Sequence, residues 1–558
     1  MWLKSSARSL TKNEIMSKKQ SHYQLKQIRK SQSEDSKLLK YPYLVILALV
    51  LIVYVQTLKF DFVYLDDDLI ILDNYEKISS LSNIVNSFTM EYGFNQGTPY
   101  YRPVTNISFI IDAQFSGKSP VFYHLSNLVF NFLTAFFLFA LLLKLNFRKE
   151  LSLFLALIFA VHPVLTNAVV WIVGRNDMLA GLFSVLSFIY FLKYIKEYKN
   201  KDLYLHSLFY LIAVFSKEVS LILPLVCAHY LFWLERKSSN KAVWGKLAVF
   251  WIIPVAFSQI LKTAFIPSAQ NVTYGIPAII ANIRTVPEIF AKIFIPLNIA
   301  VLPTFTDTWT IIGLIILILF LALPFIIKGI DLKKYYFGVT WLILFTLPGL
   351  FIIYSDQKEK FEYLDCRFYL PMIGILISLG EVFSAKGFNI HKNKQLAISI
   401  GIICLFSVLT FIQSKKYENA IVFAQNAIES NPERAFFYEK LADYYFTKQD
   451  FPKAIIYLTK TIEKSPGNHI HYKNLSLAYA YTKQYSKAIE NLEKAYNLYP
   501  QDFEVLQTLI RLNYETGRYD LSLKYADKVV EFGGEIDTTL YKDIKELSLK
   551  MKNSQSAQ

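Results

Sequence analysis

Residues 432–466 read PERAFFYEKLADYYFTKQDFPKAIIYLTKTIEKSP. The bounding prolines, Pro432 and Pro466, are followed by Pro500, so proline returns every 34 residues. Other positions keep the same period. Tyr417, Phe451, Tyr485 and Tyr519 hold one aromatic phase, and Ala420, Ala454, Ala488 and Ser522 follow it by three residues. Leu441, Leu475 and Leu509 hold another. An aromatic, a small residue where two helices touch, and a proline that stops the second helix together describe a repeating helical hairpin. An accidental bundle does not lock three features to one spacing.

This is the tetratricopeptide pattern, and it predicts an α-solenoid over 415–548 with a tail at 549–558. One such hairpin cannot bury its apolar face alone and must stack on its neighbours. The stack forms a concave surface for peptides or partner proteins and carries no chemistry of its own.

Upstream the chain changes character. Of its 558 residues 53% are hydrophobic, and most of these fall before residue 415 in runs long enough to cross a hydrocarbon core. Eleven spans are expected, near 41–58, 124–146, 151–172, 177–194, 203–216, 219–234, 246–265, 309–327, 336–354, 368–385 and 395–413. The fold class is therefore all-α: a polytopic membrane bundle over 41–414, followed by the repeats. The 41–58 run reads as an uncleaved anchor. Val286 to Ile299 is apolar but interrupted by Pro287, Glu288, Lys292 and Pro296, and reads as an interfacial or re-entrant helix.

The formal charge of +15 is explained by topology. Residues 1–40 carry ten Lys or Arg against three acids, and further basic clusters surround Lys144, Lys193, Arg236, Lys328 and Lys386. With a cytoplasmic N-terminal tail and eleven crossings, all of them lie on one side, the positive-inside pattern. No nucleic acid is needed. The first external loop, 59–123, and the repeats are then expected to share the non-cytoplasmic face, of an inner membrane or of the endoplasmic reticulum according to the source. The three cysteines, Cys227, Cys366 and Cys404, show no pairing or metal spacing, and Cys366 alone lies outside a predicted span.

The chemical candidates sit at the outer ends of the spans. Asp66, Asp67 and Asp68 follow the first span directly, and adjacent carboxylates raise one another's pKa, which suits a general base. They are also the residues that could hold a divalent cation, the one cofactor in view. Ile78, Leu81, Ile84, Val85 and Phe88 then space as one face of an interfacial helix. Asp112, Arg102, His124, His162, Arg175, Asp177, Lys217, Glu218, Asp365 and Arg367 complete a set of ionisable groups that could line one cavity. No phosphate-binding glycine loop, zinc spacing or nucleophile elbow competes. A donor carried by lipid suits a site facing away from the cytosol.

The order of these stretches resembles the GT-C superfamily of polyprenyl-phosphate-dependent glycosyltransferases. Within it the chain is most similar to the transmembrane and tetratricopeptide-repeat O-mannosyltransferases and their prokaryotic relatives. Tyr64-Leu65-Asp66-Asp67-Asp68, Tyr101-Arg102-Pro103, Tyr123-His124, His162-Pro163-Val164, Gly174-Arg175-Asn176-Asp177, Ser216-Lys217-Glu218 and Asp365-Cys366-Arg367-Phe368-Tyr369-Leu370-Pro371 carry it. Two positions depart: Asn167 stands where the family has glutamate after His162-Pro163, and Asp365 stands where glutamate is usual.

The resemblance implies transfer of mannose or another hexose from a polyprenyl-phosphate donor to hydroxyls of protein acceptors presented by the repeats. Asp66 or Asp67 would be the base. Asp68, His124, His162, Asp177 and Glu218 would contact the substrates, and Arg102, Arg175, Lys217 and Arg367 the leaving phosphate. Two other readings remain: a non-enzymatic membrane scaffold, and a lipid-linked glycan ligase or transporter.

Overall fold

The computed structural model describes residues 40–94, 98–235, 240–267, 272–354, 364–389 and 392–555. The basic tail of 1–40, apart from Lys40, and the last residues of the 549–558 tail lie outside them. The chain is nearly all helical. Among the described residues the one departure from all-α is a two-stranded antiparallel pair, Val272–Tyr274 with Ile352–Tyr354, built from β-branched and aromatic residues that favour a pleated strand.

Among the described residues six helices are long and apolar enough to cross a membrane: Pro42–Lys59, Val121–Lys144, Ile172–Glu197, Lys241–Phe265, Asp307–Ile326 and Asn393–Tyr417. Lys149–Ala160 and Pro163–Val170, bent by 47° at His162-Pro163, make a seventh if counted as one span. This corrects the expected eleven. The 203–216 and 219–234 runs fold as Asn200–Ser216, of 17 residues, and as a broken Glu218–Leu234 with a proline at Pro224. The 368–385 run yields only Pro371–Ala385, of 15 residues. Leu332–Leu350 has 19 residues but opens on Lys333-Lys334-Tyr335-Tyr336. Apolar runs overestimate spans where helices end early against their neighbours instead of facing lipid.

The helices differ in what they face. The most apolar 18-residue window of Ile172–Glu197 is 83% buried, making it the central post, whereas that of Asp307–Ile326 is 11% buried. Ile311, Ile315, Ile318 and Phe325 point outward from the latter, as do Ile252, Ile253, Phe257 and Ile260 from Lys241–Phe265. Such a surface is stable only against hydrocarbon.

The Val286–Ile299 segment folds as the 10-residue helix Thr285–Phe294, too short to cross, and lies against Asp307–Ile326 at Gly313. The expected interfacial helix around Ile78 is instead two single turns, Tyr75–Ile78 and Asn83–Asn86. Asn83 donates to the Lys77 carbonyl and Ser80 pairs with Ser82, local hydrogen bonds that compete with a continuous helix.

Small residues set the closest approaches. A Cβ at Gly338 would sit 2.5 Å from the Gly374 carbonyl oxygen, so Leu332–Leu350 and Pro371–Ala385 touch backbone to backbone. Gly338→Val is expected to cost about 1–3 kcal/mol by overpacking, seen as a lower midpoint of thermal unfolding in detergent.

The C-terminal hairpins follow the 34-residue phase. Ala435–Thr447 pairs with Phe451–Lys464, His469–Tyr481 with Tyr485–Leu498, and Phe503–Glu515 with Tyr519–Glu531. Ala454, Ala488 and Ser522 are fully buried where the helices cross, and Leu441, Leu475 and Leu509 are buried with them. Asp450, Asn468 and Asp502 cap the following helices through their side chains. The start of the first hairpin packs on the membrane body, while its Ala442 and Leu458 cluster with Leu475 and Ala478 of the next. Tyr417, Phe423, Phe437 and Leu441 share the body's hydrophobic core, whereas Leu492, Leu506 and Leu509 form a separate one.

Candidate active site

Leu65 adopts φ +102°, a left-handed conformation that a branched residue takes only when its surroundings impose it. The turn sends three adjacent carboxylates into three environments. Asp67 points inward and is 1% exposed; the Val63 N–H donates to its Oδ2 at 3.1 Å. Asp66 stays partly exposed within the field of Arg102. Asp68 turns toward the repeats, where its Oδ2 lies 3.6 Å from the Lys440 Nζ on Ala435–Thr447.

Burial is the first cause of the carboxylate shifts, ahead of the mutual repulsion that adjacency suggests. It pushes Asp66 up to about 6, with Asp68 adding and Arg102 and Arg434 opposing. It pushes Asp67 up to about 8 against the Val63 hydrogen bond. Asp68 is raised by the same burial, with Lys440 opposing. Among the described residues no three His, Cys, Asp or Glu side chains converge to hold a metal ion. The diverging acidic run does not fit a divalent cation.

Behind Asp66 lies a bidentate pair. Arg102, just ahead of helix Pro103–Ser116, donates Nε to Glu218 Oε2 at 2.9 Å and its terminal nitrogen to Oε1 at 2.6 Å. The Tyr92 and Tyr100 rings lie 4.9 Å and 4.4 Å from the guanidinium carbon. Burial works against the ionised Glu218 carboxylate, but Arg102 outweighs it and holds the group down at about 2. Next to this pair Lys217 Nζ donates to both Asp177 oxygens at 2.7 Å and to Asn176 Oδ1 at 3.3 Å. Cys366 lies against Asp177 and in the field of Arg367, which brings the Asp365–Phe368 turn to the same neighbourhood. Its thiol is buried.

Three candidates lie buried inside the protein. Arg175 is fully buried and its donors are taken: Asp112 Oδ2 at 2.5 Å, Tyr123 O at 2.7 Å, Asn127 Oδ1 at 3.0 Å and Ser108 Oγ at 3.2 Å. It cannot take a lipid phosphate without abandoning Asp112. His162 caps the turn after the break: its Nδ1 accepts the Val164 N–H at 3.3 Å, leaving Nε2–H to donate to the Ile293 carbonyl at 3.0 Å. His124 is buried edge-on to Phe60.

Residues without a prior role complete the picture. Lys292, which merely interrupted an apolar run in the sequence, pairs with Asp365 at 2.9 Å with both side chains buried. Asn167, at the departing position, donates to the Tyr417 hydroxyl at 2.9 Å. The Asp61 N–H donates to the Glu418 carbonyl at 2.9 Å. The first repeat is thus fastened to the acidic loop. This placement does not depend on the number of spans.

A tetratricopeptide-repeat family profile matches residues 472–502. Protein O-mannosyl-transferase TMTC3 of Mus musculus is 37% identical over 93 residues, 17% of this chain and 10% of that protein. Protein O-mannosyl-transferase tmtc2 of Xenopus laevis is 35% identical over 152 residues, 26% of this chain and 18% of the other. Protein O-mannosyl-transferase TMTC4 of Homo sapiens is 29% identical over 176 residues, 29% of this chain and 22% of the other. Each match spans less than a quarter of the relative's own length. The chain is a multi-pass, helix-rich membrane protein with a tetratricopeptide repeat, similar in part to proteins named protein O-mannosyl-transferases.

Proposed function

We propose that the chain is a membrane glycosyltransferase. It moves a hexose, mannose in the first instance, from a polyprenyl-phosphate carrier to hydroxyls of protein acceptors. The observation that carries this reading is the meeting of the acidic loop with the first repeat helix through Asp68 and Lys440. A binding arm for polypeptide that ends on a partly exposed carboxylate of raised pKa is what protein-directed transfer requires. The names of the relatives and the GT-C-like order of motifs point the same way.

Asp66 is the base. Its carboxylate takes the proton of the acceptor hydroxyl, the acceptor oxygen bonds to the sugar anomeric carbon, and the bond from that carbon to the phosphate oxygen breaks. A base with a pKa near 6 is mostly ionised at neutral pH and still accepts a proton effectively. Asp67, buried and raised to about 8, is a positioning residue that anchors the loop through Val63. Arg102, Lys217 and Arg367 supply positive potential for the phosphate, although Arg102 and Lys217 share theirs with Glu218 and Asp177. In this reading 41–414 is the catalytic domain and 415–548 the acceptor arm, both facing away from the cytoplasmic 1–40 tail.

The test is transfer by purified full-length protein in vesicles, with a panel of polyprenyl-phosphate sugars and both a protein and a small alcohol as acceptors. Shortening the chain to residue 484 keeps the first hairpin, whose Phe437 and Leu441 belong to the body's core. It is expected to lower transfer to protein about tenfold while sparing the small alcohol, because remote binding energy is lost. No transfer from any donor, with partner proteins still held by the repeats, would make the chain a scaffold.

A further inference from the structure

The notable cation near this site is not one the motifs single out. Lys262 lies in the last turn of Lys241–Phe265 and pairs with no carboxylate among the described residues. Arg102, Arg175, Lys217 and Lys292, by contrast, each face a carboxylate within hydrogen-bonding distance.

Lys262 lines a cleft of about 440 Å³, counted to its open mouth, together with Tyr100, Tyr101, Glu218, Ser258 and Gln259. Glu218 on the cleft wall is held bidentately by Arg102, so that pair is neutral as a unit. The net charge presented to a ligand is therefore that of Lys262. A lysine at the end of a spanning helix also snorkels toward headgroups wherever it faces lipid. Here Ser258 and Gln259, one turn earlier on the same helix, line the same cleft with polar groups. That arrangement forms a polar recess beside the bilayer. On the outside of the helix, Ile253, Phe257 and Ile260 are exposed and apolar.

A cationic recess that continues into an apolar flank matches a ligand with an anionic head and a hydrocarbon tail. We propose that this cleft receives the phosphate of a lipid, with Lys262 as its charged contact and the chain lying along Phe257 and Ile260. Resting on the glycosyltransferase reading, the lipid is the sugar donor, and the cleft delivers its head to Arg102 beside Asp66. Lys262 then takes the part that the resemblance gave to Arg175.

The test uses full-length protein in phosphatidylcholine nanodiscs and displacement of a fluorescent polyprenyl phosphate. The competitors are unlabelled polyprenyl phosphate, the polyprenol of the same length, and phosphatidylglycerol. Polyprenyl phosphate should compete at least about tenfold better than polyprenol, the worth of one charge-assisted contact. Lys262→Gln should erase that gap and Lys262→Arg should keep it. Equal competition by the polyprenol, or a gap that survives Lys262→Gln, overturns the site. Equal competition by phosphatidylglycerol overturns its assignment to the donor. The two readings fail separately: loss of the gap in Lys262→Gln with no transfer by the wild type from any donor would keep the cleft and remove the transferase.

Discussion

Asp66→Asn should lower turnover by about 10²–10⁴-fold, the usual contribution of a general base, while leaving insertion and thermal stability near those of the wild type. The side chain is partly exposed and feels its charged neighbours, Asp68 first and Arg102 and Arg434 after it, through space, so its amide is accommodated without a cavity. The sign of the pH dependence follows from the same shift. The base works only when unprotonated, so the wild-type rate should climb as pH rises through about 6 and then level off. The residual rate of Asp66→Asn should lack that limb. Asp67→Asn is the contrast, because a carboxyl raised to about 8 already holds its proton at neutral pH and the amide resembles that form. A large loss in Asp67→Asn with little in Asp66→Asn would reverse the roles assigned above.

Arg175→Met is the second large effect, and it is one of stability. Removing the guanidinium strands the Asp112 carboxylate in the core with Ser126 as its one remaining side-chain partner among the described residues, at 2.5 Å, and takes the donor from the Asn127 side-chain oxygen. Breaking a buried pair from one side costs about 3–5 kcal/mol. Arg175→Met/Asp112→Leu should recover much of that, since no uncompensated charge remains. Thermal unfolding of the three proteins in detergent checks the pattern. If Arg175 were a phosphate ligand, the single variant would instead keep its midpoint and lose affinity for polyprenyl phosphate.

The two predictions show why the candidate site was only half legible in the sequence. Asp66, Arg102, Lys217 and Glu218 were visible as ionisable residues at the ends of apolar runs, because a charge there is expensive and stands out. Nothing in that signal separates a charge that meets substrate from one that locks helices together. Arg175 and Lys217 read alike in sequence, yet one is sealed by Asp112 inside the bundle and the other sits at its edge. Lys292 was hidden for the opposite reason: its partner Asp365 is 73 residues away and reached only through the fold. Lys262 carried no signal, since a lysine closing a spanning helix is commonplace.

Local chemistry was determined by the sequence alone. The 34-residue period placed the hairpins, because each needs its own small crossing residue and its own stop, and both recur within one unit. Tertiary structure alone decided which apolar helices face lipid and which end short against neighbours, and so left six or seven helices long and apolar enough to cross among the described residues instead of the expected eleven. It also decided the pairing of charges, the divergence of three adjacent aspartates and the seating of the first repeat on the acidic loop. Periodicity records what a residue must do for its own helix; burial and ion pairing depend on partners that the chain brings together only when it folds.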